Sequence, residues 1–149
     1  MQRTKPLQRR TPLAAHGKSD TAQLKAAIQD ELHRIVLQRD GGCFLSGKFG
    51  HVCSGWRKDG EIVHQADHLI ERSNSATYAD PRLVVCVCKG IHAWKHFKKS
   101  NHDQYNIWVR QLLPPDRVAL WDRAEKDSWR PVRTSSSDWA LELAYLKTQ

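Results

Sequence analysis

Two short segments of the sequence carry side chains that can bind a metal ion and move a proton. The first is Asp67-His68, near the end of a β-prone run over residues 61–69, and the second is the pair His92 and His96. Residues i and i+4 lie on one face of a helix, so two imidazoles at this spacing can bind one ion. Together with Asp67 they would form a three-ligand site with open coordination positions.

These side chains have the chemistry that hydrolysis of a phosphodiester needs. An ion held by Asp67, His92 and His96 would act as a Lewis acid, and His68, as an imidazole with an ordinary pKa of about 6.5, can accept a proton from water. Neighbouring strand residues face opposite ways, so we expect the strand to bend or end at His68. Plainer interpretations exist: Asp-His pairs are common, and His-x3-His pairs also occur on solvated helices and in structural zinc sites.

The cysteines form a second constellation. Cys43 and Cys53 flank a turn-rich loop, and Cys86 and Cys88 alternate along a predicted strand, which would place both sulfurs on one face. Disulfides are not expected in a chain with cytosolic character, so a structural Zn²⁺ bound by four thiolates competes with buried, inert thiols. His51 is a substitute ligand for one cysteine.

Charge indicates a polyanionic partner. Lysine and arginine number 24 against 16 acids, for a net charge of +8. Clustered cations gain affinity for nucleic acid by releasing counterions, although a basic solubility tail is the alternative. The cations that we predict to contact DNA are Arg72, Lys89, Lys95, Lys98 and Lys99, with Arg3, Arg9 and Arg10 in the N-terminal segment.

The hydrophobic periodicity predicts the elements that position these residues. Residues 1–18 are interpreted as a flexible basic arm, and residues 19–149 as one domain. Apolar residues at helical spacing predict a helix over residues 19–39, capped by Ser19 or Asp20. We predict strands at 61–69 and 82–88, a polar loop between them, and a helix after Lys89-Gly90. Further helices are predicted over residues 103–113, 116–126 and 136–147. We find no apolar run of 18 residues and no signal peptide, which favours an intracellular chain without membrane association.

The order Cys43, Asp67-His68, Cys86/Cys88, His92-x3-His96 resembles the HNH nuclease superfamily, and more narrowly the phage recombination nucleases of the NinG/Rap group. The resemblance includes the basic text RTKPLQRRTPL, the segments QRDGGCFLSG and QADHLIERS, and a tyrosine with a helical tail in DQYNIWVRQLLPPDRVALWDRA. It covers scattered positions over residues 3–125.

The resemblance implies an α+β fold with a ββα-metal (HNH) core, an N-terminal helix and a helical C-terminal extension. It implies that His68 is the general base and that Asp67, His92 and His96 hold Mg²⁺ or Mn²⁺, beside a structural Zn²⁺. The implied substrate is branched or single-stranded DNA of recombination, in the cytoplasm of a bacterial host, with a homodimer and a recombination protein as candidate partners.

The sequence departs from the family pattern at three places. Ser46 and Ile91 stand where the second cysteines of two Cys-x-x-Cys pairs are usual, and Asp80-Pro81-Arg82 replaces the stretch of the central Asn. The alternatives are a non-catalytic, zinc-containing DNA-binding module, and an HNH nuclease of the homing or toxin type.

Overall fold

The residues that the structure describes form an α+β architecture of five helices and short antiparallel strands. The computed structural model describes residues 20–53, 57–71, 77–127 and 135–149. The helices are α1 (Asp20–Asp40), α2 (Lys89–Phe97), α3 (Lys99–Leu112), α4 (Pro115–Asp127) and α5 (Ser136–Leu146). The strands are β1 (Arg57–Lys58), β2 (Glu61–Ile62), β3 (His64–His68) and β4 (Val84–Cys88).

Most of the predicted elements are confirmed, with shifted ends. The strand expected at 61–69 is divided at Val63 into β2 and β3. The strand expected at 82–88 begins two residues later, because Pro81–Leu83 forms a 3-10 helix in which the Arg82 backbone N–H donates to the Asp80 carboxylate. The helix expected at 103–113 begins earlier, at Lys99, directly after an extended residue at Lys98. The predicted arm, residues 1–18, lies outside the described residues.

The pair β3–β4 forms the central layer of the molecule. The strands are antiparallel, with Asp67 opposite Val85 and His68 opposite Val84. All residues of β4 are buried, because helices cover both of its faces. Val84 and Cys86 belong to a core with α1 and α5, whereas Val85 and Val87 belong to a core with α2, α3 and α4.

Ionic contacts fix the end of α1 against β4. The Asp40 carboxylate binds the Arg39 guanidinium and accepts a hydrogen bond of 2.9 Å from the Cys86 backbone N–H. Arg39 and Arg117 both donate to the Val84 carbonyl oxygen, at 2.8 and 3.0 Å. Cys43 follows shortly after α1 and begins the loop over residues 43–53, which we call the cysteine loop. The contacts between α1 and β4 therefore also fix the position at which this loop begins.

The order β3, loop, β4, α2 places the end of β3, with Asp67, beside the helix that carries His92 and His96. In the part of the chain that the structure describes, no helix is both long and apolar enough to cross a membrane.

Candidate metal centres

The end of β3 and one face of α2 bring three of the predicted site residues together. One ligand atom from each of Asp67, His92 and His96 lies within 4.8 Å of the others. His92 Nε2 is 3.5 Å from Asp67 Oδ1, and the two imidazole centroids are 4.7 Å apart. This convergence follows from the i, i+4 spacing in α2 and from the packing of that helix on β3.

The three side chains differ in their access to solvent. Asp67 is buried, His92 is half-buried and His96 is exposed, so the group opens on one side. One carboxylate oxygen and two imidazole nitrogens could hold a divalent ion, and imidazole favours ions of the first transition row. Three protein ligands would leave coordination positions open.

Two buried side chains hold the Asp67 carboxylate in place. Lys95 Nζ donates to Oδ2 at 2.8 Å and to Oδ1 at 3.1 Å, and the Tyr105 hydroxyl donates to Oδ2 at 2.5 Å. Oδ1 is the oxygen that faces His92. Burial, followed by the nearby Asp67 charge, raises the pKa of Tyr105 well above its usual value, so its hydroxyl remains a donor.

Lys95 does not occupy the position that the sequence led us to expect. We predicted that it would reach a DNA phosphate, but its side chain is 4% exposed and bound to Asp67. Position 95 lies one helical turn after Ile91 on the buried face of α2, and a buried carboxylate requires a counter-charge there.

His68, the predicted base, ends β3 and lies on the opposite face of the strand from Asp67. Its Nε2 is 3.0 Å from the Tyr78 carbonyl oxygen and 3.4 Å from the Gln29 amide nitrogen. A carbonyl oxygen only accepts, and its contact is the shorter, so we assign the proton to Nε2. Nδ1 is then the unprotonated nitrogen of the neutral ring, and it is buried. The ring is thus outside the group of three ligands, and its role as a base stays a prediction.

The cysteine loop forms a second cluster. Ligand atoms of Cys43, His51, Cys53 and Cys88 all lie within 4.8 Å of one another. His51 Nε2 is 3.8, 3.4 and 3.3 Å from the sulfurs of Cys43, Cys53 and Cys88, respectively. None of the cysteines forms a disulfide. Three sulfurs and one imidazole are a ligand set typical of structural zinc, so this cluster could hold such an ion.

Local geometry folds the loop back on itself. Gly47 and Gly50 adopt left-handed backbone angles (φ 68° and 73°), which L-residues with a Cβ rarely reach. Phe49 stacks on Trp108 of α3 with their centroids 5.3 Å apart. The chain reversal at these glycines therefore places His51 and Cys53 next to Cys43. The aromatic contact packs the loop against α3.

Cys86 is not a member of this cluster, contrary to our expectation for the Cys-x-Cys pair. It packs in the core with α1 and α5, whereas Cys88 packs with the opposite core. Cys88 is the last residue of β4 and the N-cap of α2, where its sulfur accepts from the Ile91 N–H, so strand alternation ends there. His51, the substitute ligand, takes the place that we assigned to Cys86.

Protonation governs how the cysteine cluster takes up an ion. Burial raises the pKa of the Cys43 thiol to about 12 and also raises the pKa of Cys88, whereas burial lowers the pKa of His51. At neutral pH the imidazole is neutral and ready to bind, but these thiols must lose protons. Zinc binding would therefore release protons and weaken as the pH falls.

The predicted DNA-contacting cations are only partly described. Lys98 and Lys99 are exposed at the junction of α2 and α3, and Lys89 is half-buried at the start of α2. Arg72 and the arm residues Arg3, Arg9 and Arg10 lie outside the described residues.

Tyr105 is the site residue that sequence reasoning missed. The resemblance included this tyrosine without giving it a role, and the sequence has no local signal for its contact with Asp67, which is 38 residues away.

Comparisons of the chain with protein-family models, with curated proteins and with solved structures found no match. A functional conclusion must therefore come from the residues and their geometry.

Proposed function

We propose that this chain is a divalent-metal-dependent DNA endonuclease, in which β3, β4 and α2 form a ββα-metal core of the HNH type. The observation that carries the proposal is the convergence of Asp67, His92 and His96. His68 follows Asp67 in β3, with its ring on the other face of the strand. A carboxylate, two imidazoles and a further imidazole provide ion binding and proton transfer, which are the two requirements of phosphodiester hydrolysis.

Asp67, His92 and His96 would hold the ion, with Asp67 Oδ1 as the carboxylate donor. When bound, Mg²⁺ or Mn²⁺ would supply Lewis-acid stabilisation of the charge that develops on the phosphate. Tyr105 and Lys95 orient the Asp67 carboxylate through hydrogen bonds to Oδ2. The ligand geometry is thus set before substrate arrives, which lowers the cost of ordering these side chains at the reaction step.

His68 supplies the base. Its Nε2–H is directed to the Tyr78 carbonyl oxygen, which leaves Nδ1 as the nitrogen that would accept a proton from water. Nδ1 is buried, so the surrounding side chains must open before water can reach it. The ring is 8% exposed and lies against the Tyr78 ring, at a centroid distance of 5.4 Å. This packing holds the imidazole in one orientation but also shields Nδ1 from solvent, so the proposed proton transfer requires local opening beside Tyr78.

DNA is the proposed substrate because of the charge distribution. The exposed Lys98 and Lys99 lie at the end of the helix that carries His92 and His96, and the net charge of the chain is +8. Phosphate contacts of this kind position a duplex or a single strand without reading its sequence. The narrower preference for branched or single-stranded recombination intermediates is supported only by the resemblance to the NinG/Rap group.

A nuclease assay on labelled linear duplex, single-stranded and four-way-junction DNA, with Mg²⁺, Mn²⁺ or EDTA, tests the proposal. We expect cleavage only with a divalent ion. His68→Ala should lower the cleavage rate by roughly 10²–10⁴-fold and leave DNA affinity near that of the parent, because only proton transfer is lost.

The matched control is His102→Ala. His102 is half-exposed on α3, is outside both clusters and contacts Asp103 at 3.8 Å, so this variant should cleave like the parent. Full activity of His68→Ala, or cleavage in EDTA, would contradict the proposed mechanism.

The second candidate function is a zinc-containing DNA-binding module without catalysis. The observation that favours it is the group Cys43, His51, Cys53 and Cys88, whose donor set is that of a structural zinc site. Such a module would bind DNA in the same assay and leave every substrate intact with Mg²⁺ or Mn²⁺.

A further inference from the structure

The ammonium group of Lys95 lies in the most buried part of the candidate ion site. Lys95 is 4% exposed, Asp67 is 2% exposed and Tyr105 is fully buried. Besides the two Asp67 oxygens, Lys95 Nζ is 3.5 Å from the His68 carbonyl oxygen and 4.6 Å from the centroid of the Tyr105 ring. These contacts are with an anion, a hydrogen-bond acceptor and an aromatic face, each of which favours a positively charged group.

This charge changes the electrostatics of the ion site. Asp67 carries one negative charge and Lys95 one positive charge, while His92 and His96 must be neutral to act as ligands. The protein therefore contributes no net negative charge against the two positive charges of a divalent ion. Lys95 also repels that ion across a medium of low dielectric constant, where charges interact more strongly than in water.

We propose that Lys95 makes ion binding at Asp67, His92 and His96 depend on a phosphodiester, so that the ion and the anionic substrate bind cooperatively. The inference rests on the function proposed above. A phosphodiester brings the negative charge that the site lacks, and thermodynamic linkage requires each ligand to strengthen the other by the same factor. Without substrate the site holds its ion weakly.

A merely structural role for Lys95 predicts the opposite result upon substitution. If Lys95 only positioned Asp67, replacing it would loosen the carboxylate and weaken ion binding. If its charge opposes the ion, Lys95→Met should strengthen ion binding in the absence of substrate. The sign of the change in Mn²⁺ affinity therefore separates the two roles.

The experiment is a Mn²⁺ titration by calorimetry on full-length, zinc-loaded protein carrying His68→Ala, which prevents cleavage in every arm. Mn²⁺ is titrated into each protein in three arms: without a nucleotide, with the dinucleotide TpT, and with the methylphosphonate analogue of TpT. The analogue has the same shape as TpT and no charge. We expect TpT to raise Mn²⁺ affinity by about 10-fold or more, within the usual range of allosteric coupling, and the neutral analogue to leave it unchanged.

Three variants complete the design. Lys95→Met should bind Mn²⁺ about 10-fold more tightly than the parent without TpT and show little further gain on adding it. Lys95→Arg keeps the charge and should keep the coupling. The matched control, Lys126→Met on the exposed surface of α4, should behave like the parent.

The proposal is overturned if Lys95→Met binds Mn²⁺ no more tightly than the parent, or if TpT and its neutral analogue act alike on the parent. The second comparison needs no substitution at Lys95 and therefore holds even if Lys95→Met fails to fold. If the unsubstituted protein cleaves DNA with Mn²⁺ in the nuclease assay but the titrations show no coupling, this inference alone is rejected. If the titrations show no Mn²⁺ binding and the nuclease assay shows no cleavage, the proposed function is rejected with it.

Discussion

The two candidate metal centres differ in donor type and in access to solvent. The cysteine cluster (Cys43, His51, Cys53 and Cys88) offers three sulfurs and one nitrogen, and its Cys43 and Cys88 are buried. The Asp67 cluster (Asp67, His92 and His96) offers one oxygen and two nitrogens, and its His96 is exposed. A closed set of four soft ligands suits an ion that stays bound, and an open set of three suits an ion that meets substrate. If the proposed function holds, one small fold assigns stabilisation and chemistry to two separate ion sites.

Helix α2 links the two centres. Cys88 is the N-cap of this helix, and His92 and His96 lie on its next turns. An ion bound by the cysteine cluster would fix the start of α2, and with it the direction in which both imidazoles project. We therefore expect substitutions in the cysteine cluster to weaken ion binding at Asp67, His92 and His96. Substitutions at these three residues should not affect zinc binding by the cysteine cluster.

The largest expected effect is at Cys88. A structural zinc site contributes about 10–16 kcal/mol of apparent binding free energy. Cys88 is one of four ligands, and a quarter of that free energy is about 2.5–4 kcal/mol, which corresponds to about 10²–10³-fold in zinc affinity. Cys88→Ala should therefore lower zinc affinity by that factor, measured by competition with a zinc-binding dye, and should lower the melting temperature of the zinc-loaded protein.

Cys86→Ala is the matched control. Cys86 is buried but packs in the other core, so this variant should keep one zinc per chain and lose only packing energy, about 0.5–3 kcal/mol as for most point substitutions. Equal zinc affinities for the two variants would show that the cysteine cluster does not bind the ion.

The next largest effect is expected at His92. His92→Ala removes a proposed ligand of the other ion, and Mn²⁺ affinity should fall by at least about 100-fold, the upper end of what losing an outer-shell partner costs. Zinc content should stay unchanged. Parent-like Mn²⁺ affinity in a calorimetric titration would mean that His92 is not a ligand, and His102→Ala again serves as the control.

A smaller effect is expected at Tyr105. Tyr105→Phe removes the hydrogen bond to Asp67 Oδ2 without removing charge, so Mn²⁺ affinity should fall by about 10-fold, the lower end of outer-shell effects. Lys95→Met should change the affinity in the opposite direction, although both residues bind the same carboxylate. If Tyr105→Phe binds Mn²⁺ as tightly as the parent, the hydroxyl does not position Asp67.

The smallest effect on the two centres is expected from removing residues 1–18, which carry Arg3, Lys5, Arg9, Arg10 and Lys18. The slope of log affinity against log salt should flatten by up to about 4.5, because each of up to five phosphate contacts contributes about 0.9. Zinc and Mn²⁺ binding should be unaffected. The slope is measured by fluorescence anisotropy with labelled DNA. If the truncated protein and the full chain have equal slopes, residues 1–18 do not contact DNA phosphates.

Local sequence patterns determined much of this protein. Apolar spacing predicted α1 and the C-terminal helices, and the i, i+4 pair His92 and His96 shares a helix face in any α-helix. The convergence of this pair with Asp67 was also foreseen, because a β-strand followed by a loop, a second strand and a helix places their ends side by side.

Only the tertiary structure decided the choice among chemically similar residues. The cap of α2 rotates Cys88 away from Cys86, and the Gly47 and Gly50 turns bring His51 into its place. The sequence predicted Lys95 to be a surface cation. In the structure it is buried and pairs with Asp67, because the buried carboxylate requires a counter-charge. Periodicity depends on neighbours along the chain, whereas ligand choice and charge pairing depend on contacts between distant segments, which no local pattern records.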